Sequence, residues 1–496
     1  MNRSNHTQHD RSITAGADFL HLDAADAPPG GVTDWLTDQI RTAITVGDLP
    51  RGSLLPSTRT LAADLGVSRG VVTEAYRRLA EDGHVRGRGR AGTVVMTDTP
   101  TPLTTHRHPT PEAPDPRTVF APAPGPQVFD QLRQAHAPID LSPGVPDLAA
   151  FPRAAWLRAE RAVLTDTSAS ALGYGDPRGT PALRSAVADW LTRTRGIRAH
   201  PDQVVIVAGT AQALGLIARV LRDQGVDAVA VEDPGSLGIR QHLDHSGMRT
   251  PPVPVDEDGL DVDALRTTGA RAVLATPAHQ FPTGVVLSGD RRRALAHWAR
   301  EGGLVIEDDY DAEHRYDRPP VPALAATAPD RVCYNGSVSK LLAPALRLGW
   351  MVGPPRWHDA LVEAKRFSDL GNATLPQLTL AHLMASGALE RHLRVLRARH
   401  RRRRDTMIDA LRAHVPRARV HGAAAGLHLT VTLDLPVTDT HLAAAALERG
   451  VKTHPLSWHR QRPGPAGLVL GYAGRPATAI REGVAALGAL VDDLTR

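Results

Sequence analysis

A single cysteine, Cys333, occurs in the 496 residues, so no internal disulfide can form and a reducing compartment is the expected setting. No apolar run reaches the roughly 18 residues that a membrane-spanning helix needs. The amino terminus, MNRSNHTQHDRSITAGAD, has no apolar stretch that would direct secretion, so the expected location is cytoplasmic, with no membrane partner. The 23 histidines show no ligand spacing such as His-Glu-x-x-His, and no metal site is expected. Lysine is the most informative scarcity. Lysine and arginine total 58, yet only Lys340, Lys365 and Lys452 are lysines. A chain that takes arginine almost everywhere else marks a lysine in a polar loop as a candidate for chemistry.

Lys340 lies in Gly336-Ser-Val-Ser-Lys-Leu-Leu-Ala-Pro-Ala-Leu-Arg-Leu-Gly349. A Schiff base with an aldehyde cofactor needs an amine, because guanidinium stays protonated and is not nucleophilic. Ser337 and Ser339 before the lysine, and Arg347 after it, are donors that suit a phosphate dianion. One loop thus offers a covalent anchor and half of a phosphate site. It resembles the lysine loop of fold-type I pyridoxal-phosphate enzymes, the aminotransferase superfamily. The form GSVSKLLAPALRLGW is most similar to the MocR/GabR branch, transcription regulators with an aminotransferase-like domain. The resemblance implies pyridoxal 5'-phosphate as cofactor, held by Lys340.

Length predicts two to four domains with ample core, and 42% hydrophobic with 22% charged residues is ordinary for a globular chain. A net charge of +5 permits a nucleic-acid partner. Residues 1–17 are polar and expected to form a disordered tail. Over 18–98, Leu36, Ile40 and Ile44 predict one helix face, Ser57 and Ser68 are placed to cap two further helices, and 84–96 reads as a hairpin studded with arginine. Helix, helix, turn, helix and basic hairpin make a winged helix-turn-helix. The stretch LPSTRTLAADLGVSRGVVTEAYRRLAEDGHVRGRGRAGTVV resembles the GntR-type DNA-binding domain, which implies a double-stranded DNA operator as partner. Helix-turn-helix geometry puts the start of the last helix, Ser68-Arg69-Gly70, in the major groove, with Arg69 reading a base edge. Arg59 matches a family position that contacts DNA, and Arg86, Arg88 and Arg90 are expected on the backbone or minor groove.

Nine prolines between 100 and 126 predict an extended linker over 99–138. From 139 to 496, short apolar runs such as 204–208, 228–231, 272–275 and 304–306 alternate with helical stretches. The expected fold is a mostly parallel α/β sheet, followed by a smaller α+β subdomain. Gly209-Thr210-Ala211 follows a strand and opens a helix, which makes an anion site. The resemblance assigns these three to the cofactor phosphate, Asp308 of EDDYD to the pyridine nitrogen, and Tyr310 to the ring hydroxyl. It also assigns Tyr174 to the partner subunit's cofactor phosphate, and implies a head-to-tail homodimer.

Some positions depart from the enzymes of the superfamily. Phe281 of HQFPTG stands where they usually carry an asparagine. Ser236 stands where many carry an aromatic residue, and Val469 takes the place of the arginine that clamps the substrate carboxylate. These departures favour a regulator that senses pyridoxal phosphate or an amino compound reactive toward it. The alternative is a working aminotransferase with an accessory DNA-binding module. The run Arg399-His-Arg-Arg-Arg-Arg404 is expected to be a solvated helix rather than a nucleic-acid patch.

Overall fold

The computed structural model describes residues 20, 22–28, 30–89, 92–96, 115–316 and 321–495. The expected tail over 1–17 and the wing residue Arg90 lie outside them. The chain divides into two compact units, Met1–Thr110 and Pro111–Arg496.

The first unit runs α1 (Val32–Val46), β1 (Leu54–Leu55), α2 (Thr58–Asp64), α3 (Arg69–Glu81), β2 (Val85–Gly87) and β3 (Thr93–Val95). Leu36, Ile40 and Ile44 are buried against Val72, Ala75, Tyr76 and Leu79 of α3. Gly47, at φ 98°, ends α1 in the left-handed conformation that glycine adopts without strain. Ser57 caps α2, its Oγ accepting the Thr60 N–H at 3.1 Å. Ser68 holds the corresponding position before α3, but its hydroxyl takes no cap hydrogen bond. The expected cap is therefore missing there, and the first turn of α3 has no capping side chain. The basic hairpin gains a third strand that the sequence pattern did not show, since β1 pairs antiparallel with β3 in the order β1-β3-β2.

The proline-rich segment departs from the expected linker beyond residue 114. It forms α4 (Pro116–Val119) and α5 (Val128–Gln134) before β4 (Ile139–Asp140). Pro116 sits at the first helical position behind the Asp115 cap, where its missing N–H costs nothing. Val119, Phe120, Val128 and Leu132 are buried, and the Phe120 ring stacks on Trp458 at 5.3 Å. Proline spacing argued for an extended chain, but the apolar residues between the prolines have a core to enter.

The large sheet has eight strands. In chain order they are β5 (Val204–Val207), β6 (Ala230–Asp233), β7 (Pro252–Asp256), β8 (Gly259–Leu260), β9 (Ala272–Ala275), β10 (Leu304–Asp309), β11 (Val332–Ser337) and β12 (Gly349–Val352). Their spatial order is β5-β12-β11-β10-β9-β6-β7-β8. Alternation along β5 sends Val204 and Ile206 to one core and Val205 and Val207 to the other. The first core is covered by α7 (Pro181–Arg195), α10 (Val262–Thr267), α11 (Gly289–Arg300) and α13 (Thr374–Ala385), with α6 (Arg153–Asp166) against α13. The second is covered by α8 (Thr210–Asp223), α9 (Leu237–His245) and α12 (His358–Asp369). The sheet is mostly parallel, as expected, and mixed only through two strands: β12 runs antiparallel to both neighbours and β8 to β7. The physical reason is the lysine loop. The connection from β11 to β12 holds only a 3-10 turn, too short for the helical crossover that a parallel return requires.

The smaller subdomain comprises α14 (Ala388–His414), β13 (Arg419–His421), β14 (His428–Thr432), α15 (Asp439–Glu448), β15 (Val451–Lys452), β16 (His454–Pro455), β17 (Gly467–Gly471) and α16 (Ala477–Thr495). Its antiparallel sheet, β13-β14-β17-β16, buries Leu429, Val431, Leu468 and Leu470 beneath the helices. Period two turns Thr430, Val469 and His454 to the opposite face. There the Thr430 hydroxyl and His428 Nε2 both donate to the Pro282 carbonyl. No helix among the described residues is long and apolar enough to cross a membrane.

Candidate functional site

The carboxyl ends of β5, β10 and β11 converge on a cavity of about 350 Å³. It is lined by Gly209, Thr210, Ala211, Asp308, Tyr310, Ser337, Ser339, Lys340 and Arg347, nine of the ten cofactor-site residues singled out from sequence. Tyr174, the tenth, is 96% exposed and lies outside this cavity.

The three lysines differ in what holds them. Lys365 Nζ donates to Asp369 and to Asn372 at 2.7 Å. Lys452 Nζ pairs with Asp140 at 2.9 Å and donates to the Leu132 and Ala135 carbonyls. Among the described residues, Lys340 Nζ has a single donation, to the Gly144 carbonyl, and no carboxylate pairs with it. Burial pushes its ammonium pKa down, while the charges of Asp311 and Asp308 push it back up. A buried amine with a lowered pKa is the state in which lysine is nucleophilic.

Asp308 is buried, and Thr210 Oγ1 donates to it at 3.2 Å. Burial raises its pKa to about 7, and the charges of Asp309 and Asp311 add to the rise against the Thr210 bond. Among the described residues this carboxyl has one hydrogen bond and no cationic side chain in an ion pair, so it suits a ring nitrogen that can bear a proton. Tyr310 OH lies 3.0 Å from His279 Nδ1, which lies 2.8 Å from Asp311. Burial is the main cause that drives the Tyr310 phenol pKa well up, so it stays protonated.

At the other end, α8 begins at Gly209 with no side-chain cap. Gly209 has φ 89°, and a Cβ there would stand 3.3 Å from Arg347 Nη2, so glycine lets the guanidinium reach the helix start. Arg347, itself at φ 49°, donates to the Ala208 carbonyl. Ser339 Oγ lies 2.8 Å from Ser337 Oγ. An uncapped helix start, a guanidinium and two hydroxyls form a dianion cradle. The residues present thus fit pyridoxal phosphate at its aldehyde, ring nitrogen and phosphate.

Sequence motifs missed part of the lining: Phe129, Gly144, His242, Thr276, His454 and His459. Gly144 and the two late histidines belong to segments without a motif, and only the fold brings them in. Among the described lining residues Arg347 is the sole arginine. Val469 is buried in β17 beside Thr430 and His454, and Arg475 donates to the Asp140 carbonyl at 3.4 Å.

On the first unit, Arg59, Ser68, Arg69 and Gly70 are exposed at the starts of α2 and α3, and Arg86 and Arg88 are exposed on the hairpin. Arg69 Nε donates to Thr58 Oγ1 at 3.3 Å, which joins the two helix starts.

Residues 33–95 match the model of the bacterial regulatory proteins of the gntR family, and residues 137–484 match aminotransferase class I and II. The probable rhizopine catabolism regulatory protein MocR of Rhizobium meliloti is 33% identical over 91% of this chain and 92% of its own. The chain belongs to the MocR-type GntR regulators. The pyridoxine biosynthesis regulator PdxR of Corynebacterium glutamicum is likewise 33% identical, over 91% of this chain and 94% of its own. Among solved structures, the α-aminoadipate aminotransferase LysN of Thermus thermophilus, complexed with N-(5'-phosphopyridoxyl)-L-leucine, aligns with a TM-score of 0.67. It is 29% identical and covers 74% of this chain and 94% of its own. This MocR-type protein is therefore a DNA-binding transcription regulator that carries an aminotransferase-like domain of the pyridoxal-phosphate type.

Proposed function

We propose that this regulator binds pyridoxal phosphate through Lys340 and that occupancy of the cavity, by the cofactor or by an amino compound reacting with it, sets affinity for an operator. The observation that carries this is the state of Lys340: the one lysine without a carboxylate partner among the described residues, within the same cavity as Asp308 and the Arg347 cradle. When bound, the cofactor supplies an electrophilic carbon and an electron-withdrawing ring. Lys340 anchors it, Asp308 holds a proton at the ring nitrogen, and Tyr310 donates to the ring hydroxyl. Thr210, Ala211, Ser337, Ser339 and Arg347 bind the phosphate. On the DNA side, Arg69 reads a base edge, with Ser68 and Gly70 at the same helix start, Arg59 contacts phosphate or base, and Arg86, Arg88 and Arg90 hold the backbone or the minor groove.

The kinship with a pyridoxine biosynthesis regulator supports pyridoxal phosphate itself as the effector. Exposed Tyr174, together with exposed Leu157, Leu164, Phe367 and Leu370, supports a head-to-tail dimer in which Tyr174 reaches the partner's phosphate site. The protein works in the cytoplasm. The second reading, a working aminotransferase, is favoured by the full set of cofactor residues but lacks an arginine for the substrate carboxylate. The test is operator affinity of the cofactor-free full chain, titrated with pyridoxal phosphate while visible absorbance is followed. Absorbance and affinity should change together. A chain that takes up cofactor with unchanged affinity for every DNA sequence tried would refute the sensor reading.

A further inference from the structure

The half of the cavity away from the phosphate cradle is walled by rings and imidazoles. Phe129, Phe281, His454 and His459 line it, with Ser236 at the start of α9. Phe281 meets the His459 ring edge-on at 4.9 Å, and the His454 and His459 rings lie nearly parallel at 6.1 Å. His454 is paired in register with Val469, so its imidazole shares a sheet face with the residue that replaces the carboxylate clamp.

Both histidines carry unused hydrogen-bonding capacity. The Leu237 N–H donates to His459 Nδ1 at 3.3 Å, which places the ring proton on Nε2, and that Nε2 is buried without a partner. His454 has ring neighbours but no side-chain hydrogen bond, and its Nδ1 is buried without a partner. Both residues line the cavity, and a buried nitrogen without a partner is what a ligand's polar group would satisfy.

We propose that this half of the cavity takes a small primary amine whose body is uncharged and carries no carboxylate, held by His454 and His459 against the Phe281 ring. The inference rests on pyridoxal phosphate being held at Lys340. In that frame the ligand amine replaces the lysine on the cofactor carbon. The C=N bond to Lys340 Nζ would be exchanged for a C=N bond to the ligand nitrogen, the two hydrogens given up by the incoming amine would end on Lys340 Nζ as it leaves as a free amine, and nothing is oxidised or reduced.

The charge inventory excludes a carboxylate. Burial lowers the pKa of His454 to about 4, the Asp140 carboxylate pulling it back up and the Lys452 charge adding to the fall, and burial with neighbouring His454 and Arg240 lowers that of His459 well below its ordinary value, so both are neutral near pH 7. Arg240 donates to the Trp458 carbonyl and Arg475 to the Asp140 carbonyl, and neither lines the cavity. The lining cations, Lys340 and Arg347, belong to the anchor and the phosphate cradle. A carboxylate here would be desolvated without a counter-ion, whereas a hydroxyl or aromatic ring meets neutral donors, acceptors and ring edges.

The test uses matched pairs that differ only by the carboxylate: ethanolamine against L-serine, and benzylamine against L-phenylglycine. Each is titrated into the pyridoxal-phosphate-loaded full chain, with the shift of the visible band giving Kd. The expected result is that each amine binds at least tenfold more tightly than its amino acid. His454→Phe should weaken ethanolamine about tenfold while leaving the cofactor band of the resting protein in place. Equal or tighter binding of the amino acids, or no shift with any of the four, overturns the inference. Absence of any visible band in loaded wild-type protein would instead mean that the Lys340 reading has failed, and this inference with it. Val469→Arg adds a reversal: where it folds and retains the band, preference should move toward the amino acids.

Discussion

Asp308 and Lys340 hang from adjacent parallel strands. β10 and β11 pair with Asp308 opposite Asn335 and Asp309 opposite Gly336, so the acid lies on the strand that neighbours the one feeding the lysine loop. Asp308 contributes to raising the Lys340 pKa and Lys340 to lowering that of Asp308, although burial dominates both.

Lys340→Ala should abolish the visible absorbance of cofactor-loaded protein while leaving the fold intact, because among the described residues Lys340 makes only one hydrogen bond and no ion pair. Lys365→Ala should leave the band in place and lower the melting temperature, since it leaves Asp369 with one fewer partner. Absorbance spectra and thermal melts of both variants check this. A retained band in Lys340→Ala would move the site elsewhere.

Asp308 gives a pH dependence with a definite sign. In the cofactor-free chain its carboxyl keeps a proton up to about pH 7, whereas an unfolded aspartate loses it near about 3.9. Between those values the native state binds more protons, so stability falls as pH rises and the penalty is complete above about 7. Asp308→Asn should therefore stabilise the cofactor-free protein by about 1–3 kcal/mol at pH 8 and do little at pH 4. The same change should weaken pyridoxal phosphate about tenfold or more, because the ring nitrogen loses its opposite charge. Denaturant melts at the two pH values, with and without cofactor, separate these effects.

For DNA, Arg69→Ala should cost about 1–3 kcal/mol at the operator and relax sequence preference. Arg86→Ala or Arg88→Ala should weaken all sequences alike and lower the salt slope by about 0.9. Titrations of operator and random duplexes across salt concentrations check both. Equal loss on the two duplexes for Arg69→Ala would remove it as a base reader.

Phe120→Ala should destabilise the effector unit by about 3–5 kcal/mol, the range for a buried aromatic truncated in a core. A fragment beginning at 139 should fail to fold where one beginning at 111 folds, since it lacks Val119, Phe120, Val128 and Leu132. Expression and calorimetry of the two fragments decide it.

Turnover should be weak. Orientation of the substrate is worth several kcal/mol of barrier, and an arginine fork supplies it best. Assays over a broad panel of amino acids and keto acids should stay far below about 1 per second. Turnover at that rate that disappears in Arg475→Ala would show that a clamp operates from a neighbouring position.

Local chemistry made much of this protein legible in the chain alone. The lysine loop, the EDDYD acid and the Gly209 turn are contiguous, and contiguous residues declare their chemistry through type and spacing. Helix starts such as Ser57 and apolar runs such as 272–275 follow from hydrogen bonding and burial within a few residues. The tertiary structure decided what depends on distant partners. It brought α4 and α5 into the core because Trp458 and Lys452, over 300 residues away, receive them. It turned β12 antiparallel because the lysine loop is too short for a crossover. It carried His454 from the smaller sheet, and His459 from the 3-10 turn that follows it, to the cavity, since only the pairing of β16 with β17 sets which face His454 shares with Val469. No spacing in the sequence encodes that register, because it is set by which face of the sheet has a core to cover it.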